Sequence, residues 1–149
     1  MAAEAKHLAR PTGATAVLSP RQSPLVSSAT GGEITLSSHV SAPGFSPVDL
    51  LYGALAGCLV ISARAAAAKL GVLDRLGDIE AKVTGRKAAD GPSRIEAFSV
   101  EIEIGGDLDP VTKHAIAEAA EGEICTVSNT LRGHPSIEAL LVGDNAIPA

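Results

Sequence analysis

Ser46-Pro47-Val48-Asp49-Leu50-Leu51-Tyr52-Gly53-Ala54-Leu55-Ala56-Gly57-Cys58 is the stretch on which the reading of the fold turns. Ser46 is a good N-cap, and Pro47 suits the first helical position, where a backbone N–H has no partner to lose. Asp49 stands three residues after the cap, so its carboxylate can reach back to the cap N–H as Glu does in the usual capping box. A helix therefore starts here. It is predicted to run to Leu70, about 36 Å at 1.5 Å per residue, and to end at Gly71, which supplies the left-handed cap. The run from Leu50 to Ala63 is uncharged, but at 14 residues it falls short of the roughly 20 that a membrane span needs. The helix is thus expected to be buried in protein on all sides, with Gly53, Ala54, Ala56 and Gly57 allowing another backbone to approach closely. Cys58 lies near its middle.

Upstream, residues 11–41 are rich in Thr, Ser, Pro and Gly. Short β-favouring runs at 15–18, 24–27 and 33–38 are separated by turn residues, which predicts a two- or three-stranded meander. Residues 1–9 are expected to be disordered. Downstream, 78–86 alternates Ile79, Ala81 and Val83 against Glu80, Lys82, Thr84 and Arg86. Residues 99–104 alternate Val100, Ile102 and Ile104 against Ser99, Glu101 and Glu103. Each reads as a strand with one wet face, and Asp90-Gly91-Pro92 between them makes an antiparallel hairpin. Asp109-Pro110 opens an amphipathic helix predicted to reach Ile124, followed by a short helical turn over 125–131. A last strand is expected over 137–142, before a loose tail at 143–149. The order of elements is α+β, with helices on one face of a mainly antiparallel sheet, in a single domain covering 1–149.

Composition narrows the function classes. The chain has 149 residues, 46% of them hydrophobic, with only Phe45, Phe98 and Tyr52 as aromatics. Modules that stack bases need exposed aromatic rings, and phosphate backbones need clustered cations. Here the net charge is −5 and the 12 Lys and Arg are scattered, so nucleic acid is not an expected partner. The opening MAAEAKHLAR carries charge throughout, without the apolar core of a secretory signal. The expectation is a cytoplasmic protein with no membrane partner. Cys58 and Cys125 are too few and too far apart for a secreted disulfide framework. With His114 and His134 they form no metal hook, so no metal site is expected. A Cys in an apolar helix is more often packing than chemistry.

Two segments change that balance. The stretch from Ser46 to Cys58, together with Cys125-Thr126-Val127-Ser128-Asn129-Thr130-Leu131 some 67 residues later, resembles the OsmC/Ohr family of thiol-dependent hydroperoxide reductases. Gly106-Asp107-Leu108 before the second helix fits as well, and the resemblance covers residues 13 to 142. It implies an OsmC-like fold, with a long buried central helix in an intertwined homodimer whose sites lie at the interface. It also implies peroxidase activity. Cys58 attacks the O–O bond of an organic hydroperoxide and becomes a sulfenic acid, which Cys125 resolves to a disulfide. A dithiol, in relatives typically dihydrolipoamide or a lipoylated protein, reduces the enzyme again. No cofactor is implied: neither metal, flavin nor haem.

Such a site makes its own demands. Burial disfavours thiolate, so Cys58 is expected to need a cation beside it. The family draws that Arg from the N-terminal meander, where Arg21 is the best match and Arg10 the second. Cys125 is expected to need less help if it opens a short helix. Arg64 and Arg132 read as surface charges. Two departures from the family stand out. Relatives carry Glu after the helix-opening Pro to hold the catalytic Arg, where this chain has Val48 with Asp49 next to it, and Thr126 replaces a frequent Pro. Tyr52 is a candidate for lining the pocket, although in a chain this poor in aromatics core filling explains it better. The alternative function is a non-enzymatic member of the fold that binds a small ligand and uses its cysteines for packing.

Overall fold

The computed structural model describes residues 10–143, so the expectations for 1–9 and for 144–149 lie outside the described residues. The chain divides into two compact units, residues 1–51 and 52–149.

In the first unit, β1 (Ala14–Val17), β2 (Leu25–Ser28) and β3 (Glu33–Thr35) form the antiparallel meander read from the sequence. Thr15 pairs with Ser27 and Val26 with Ile34. The turn between β2 and β3 closes through Gly31, whose φ of 98° a side chain would resist, and through the Gly32 N–H donating to Ser28 Oγ at 2.9 Å. Helix α1 (Pro47–Lys69) then begins as predicted. Asp49 N–H donates to Ser46 Oγ (3.1 Å), and Ser46 N–H donates to the Asp49 carboxylate (2.9 Å). These bonds hold the Asp49 carboxyl below the ordinary carboxylate range.

The second unit starts inside α1. Its end follows the sequence reading: Gly71 sits at φ 70°, the Val72 N–H bonds Ala67 O (3.0 Å) and the Gly71 N–H bonds Ala68 O (3.1 Å), the paired bonds of a Schellman cap. Strands β4 (Leu76–Lys87) and β5 (Ile95–Gly106) pair antiparallel. Ala81 lies opposite Ile102 and Val83 opposite Val100, while Lys82 lies opposite Glu101 on the other face and pairs with it at 3.8 Å. The strands are longer at both ends than the alternation alone predicts, since a ladder continues where pairing is available even when the pattern fades. Helix α2 (Pro110–Ala119) is capped by Asp109, which accepts from the Thr112 N–H at 2.9 Å.

Three expectations are corrected. The second helix does not continue as one α-helix to Ile124: over Ala120–Ile124 it widens into a π turn, and helix α3 (Thr126–Gly133) follows. Residues 137–142 do not form a strand. The segment after α3 has no ladder, and Ile137, Leu140, Leu141 and Val142 are all exposed. A short apolar run becomes a strand only where a neighbouring edge can accept its backbone. Within this chain α1 is also not buried on all sides. Leu55, Leu59, Ser62, Ala63, Ala66 and Ala67 are buried, whereas Gly53, Ala54 and Ile61 are exposed. By length and composition α1 could cross a membrane; its packed face makes it a core helix.

The core of this unit has two parts. Ala63, Ala66, Ala67 and Val72 pack with Ile104, Leu108, Ile116 and Ala120. One to two turns nearer the start of α1, Leu55 and Leu59 pack around Cys125, with Cys58, Ala81, Val83, Phe98, Val100, Val127 and Leu131 against them.

Candidate active site

Helix α1 carries Cys58 and the π turn delivers Cys125, and the two thiols meet in the second core cluster. Both are free. Cys125 is fully buried and Cys58 half-buried. The π turn makes this possible: the Cys125 N–H bonds Ala120 O (2.9 Å), which ends the turn and lets the chain leave the α2 axis. Cys125 then acts as N-cap of α3, its Sγ accepting from the Ser128 N–H at 3.3 Å.

The electrostatics of the pair are asymmetric. Burial pushes the Cys58 thiol up, but hydrogen bonds from Cys125, the Val127 N–H, Ser62 and the Thr126 N–H outweigh it and leave Cys58 below the ordinary thiol value. Ser62, one turn along α1, has its Oγ 4.0 Å from Cys58 Sγ. Cys125 moves the other way: burial raises it, and donating its proton to Cys58 raises it further, against the Ser128 N–H. Within the pair, then, Cys58 ionises ahead of Cys125. One expectation is corrected: the first turn of α3 lowers Cys125 through the Ser128 and Val127 N–H groups, but burial and the neighbouring Cys58 outweigh it, while the Val127 and Thr126 N–H groups also lower Cys58.

The remaining candidates fall as follows. Tyr52 packs edge-on to Phe98, ring centroids 6.0 Å apart at 79°. It also covers Gly85 on β4, where a Cβ would come within 2.5 Å of the Tyr52 hydroxyl. In the first unit, Arg21 is exposed and occupies the turn after β1 at φ 65°. Arg10 donates to Thr30 Oγ1 at 3.0 Å. Val48 is 44% exposed on the first turn of α1, and Asp49 is engaged in the capping box.

A family model described as OsmC-like protein matches residues 38–139. The chain belongs to the OsmC-like family. Among solved structures it is similar to an OsmC-like protein from Mycoplasma pneumoniae, with 23% identity, a TM-score of 0.71, and coverage of 83% of this chain and 89% of that one. It is also similar to the organic hydroperoxide resistance protein OhrB of Bacillus subtilis, with 21% identity, a TM-score of 0.61, and coverage of 83% and 92%. For an organic hydroperoxide resistance protein OsmC from Legionella pneumophila the values are 20%, 0.61, 83% and 90%. No curated protein matches the chain significantly.

Within this OsmC-like fold, several residues around the thiols escaped the sequence reading. Ser62 lies one helical turn after Cys58, and an i, i+4 scan from the cysteine would have found it. Gly85 interrupts a strand, a known mark of close approach by another group. Ser128, Glu121 and Arg132 join only because the π turn folds Glu121 back towards α3, and no spacing announces that.

Proposed function

We propose that the protein is a thiol peroxidase that reduces organic hydroperoxides in defence against oxidative stress, with Cys58 peroxidatic and Cys125 resolving. The observation that carries this reading is the meeting of two free thiols, Cys58 and Cys125, in one apolar cluster, with Cys58 lowered and Cys125 raised from the ordinary thiol value. OsmC-like membership and the names of the Legionella and Bacillus proteins support the peroxide class of substrate. The Cys58 thiolate attacks the terminal peroxide oxygen, the O–O bond breaks, and the alkoxide leaves and takes up a proton as alcohol. Cys58 is then a sulfenic acid. With the neighbouring negative charge gone, Cys125 loses one of the influences that held its proton, while the Ser128 N–H still faces its sulfur. Its sulfur attacks the sulfenic sulfur, the S–S bond forms, and hydroxide departs with the Cys125 proton as water. An external dithiol, dihydrolipoamide or a lipoylated protein, reduces the disulfide and becomes a disulfide itself.

In this reading Arg21, or Arg10 in its place, adds positive charge to Cys58. The working form is a cytosolic homodimer. Apolar walls from Val83, Phe98, Val100 and Leu131 around the pair suit an alkyl hydroperoxide better than hydrogen peroxide.

A second reading, a ligand-binding protein with packing cysteines, is favoured by Val48 in the place of the family Glu. Titration with cumene hydroperoxide separates the two. One equivalent should remove two titratable thiols from the reduced protein. Cys125→Ser should instead trap a sulfenic acid on Cys58, and Cys58→Ser should consume no peroxide. Both thiols surviving excess hydroperoxide at neutral pH would leave the second reading standing.

A further inference from the structure

Arg132, which reads from the sequence as a surface charge, holds three groups at once. Its guanidinium forms an ion pair with the Glu121 carboxylate. It also donates to Ser128 Oγ at 2.9 Å and to the Glu121 carbonyl at 3.3 Å. The Ser128 hydroxyl, receiving that bond, spends its own proton on the Glu121 carboxylate at 3.2 Å. Ser128 is buried, 6% exposed, and its N–H is the donor to Cys125 Sγ. An exposed ion pair alone does little. A planar guanidinium tied to both a carboxylate and a carbonyl of the π turn, through a buried hydroxyl on α3, fixes an angle between two segments. The segments in question are the one that delivers Cys125 and the one whose first N–H groups face Cys58.

We propose that Arg132, with Glu121 and Ser128, is a positioning device that clamps the first turn of α3 to the π turn and so sets the contact between the two thiols. The proposal rests on the peroxidase reading for its purpose, but not for its test. None of the three residues touches Cys58. They act through the Thr126 and Val127 N–H groups and through Cys125. Around the pair, Ser62 comes from α1, and Ala81, Val83, Phe98 and Val100 from the hairpin.

The test is site-resolved alkylation of the reduced full-length protein by iodoacetamide across pH, followed by the rate of disulfide closure after one equivalent of cumene hydroperoxide. Arg132→Ala should move the Cys58 alkylation profile upward by about half a pH unit, a roughly threefold loss of thiolate at neutral pH. It should also slow closure, and Arg132→Lys, which keeps the charge without the fork, should fall between. A purely structural role would lower the melting temperature and leave the profile of the folded protein in place. If Arg132→Ala does not fold, Ser128→Ala and Glu121→Gln carry the same two measurements. Variants that fold and match the wild type in both profile and closure rate would overturn the clamp. A wild type that ignores hydroperoxide, with variants whose alkylation profiles shift, would overturn the peroxidase reading and leave the clamp in place.

Discussion

A thiol on an apolar helix is ordinarily inert because burial penalises the thiolate, and at Cys58 hydrogen bonding by Cys125, Ser62 and the first turn of α3 outweighs that penalty. The direction has a measurable consequence. A thiol lowered in the folded state is ionised at pH values where an ordinary thiol is not, and its alkylation rate falls only as pH drops through the lowered value. Cys125, raised, remains protonated over the same range. At neutral pH iodoacetamide should therefore label Cys58 well ahead of Cys125, a ratio read by peptide mass spectrometry; equal labelling would contradict the asymmetry. The same directions give opposite linkage to stability. Ionisation of Cys58 favours the fold above the ordinary thiol value, and that gain is lost as pH falls through its depressed value. The protonated Cys125 favours the fold below the ordinary value, and that contribution is lost as pH rises through its raised one.

Between elements, one close contact of α1 with the hairpin is Tyr52 on Gly85. A Cβ at residue 85 would collide with the ring and hydroxyl of Tyr52, while Phe98 closes the ring from its edge. Gly85→Ala should destabilise the protein by about 1–3 kcal/mol, the usual effect of overpacking, as measured by urea unfolding. In a Tyr52→Ala background the same substitution should be nearly neutral, and a full-size effect there would mean that the ring is not the obstacle. The elements that could be read in the sequence are those with local signals: the Ser46-Pro47 start, the Gly71 stop, the alternation in β4 and β5, and the Asp109-Pro110 cap. Cys58 and Cys125 were legible as a pair through their flanking motifs. What escaped depends on non-local geometry. A π turn has no composition of its own, the Glu121 and Arg132 side chains meet only across it, and the apolar run over 137–142 finds no strand edge to join among the described residues.

At the scale of the whole molecule the unsatisfied surfaces point to one another. Along α1, Ile61 is 71% exposed with Gly53 and Ala54 open beside it. After α3 the chain runs unpaired, with Ile137 92% and Val142 82% exposed and Leu140 and Leu141 open between them. An apolar helix face and an apolar segment outside any ladder both expose hydrocarbon to water, and the segment's backbone has no partner strand. In the homodimer we propose, a second copy of the chain covers both surfaces under two-fold symmetry: helix against helix through the small residues, and a strand added to a sheet. Light scattering should accordingly give a mass of twice 15.0 kDa at micromolar concentration. Ile61→Lys places a charge in the helix contact and should shift the protein towards a monomer that keeps its circular dichroism. Removing residues 135–149 should weaken association separately, since it takes away the added strand and leaves the helix face intact. A stable wild-type monomer would require these apolar surfaces to be covered some other way and would end the dimer proposal, whereas a dimer indifferent to Ile61→Lys would move the interface off α1.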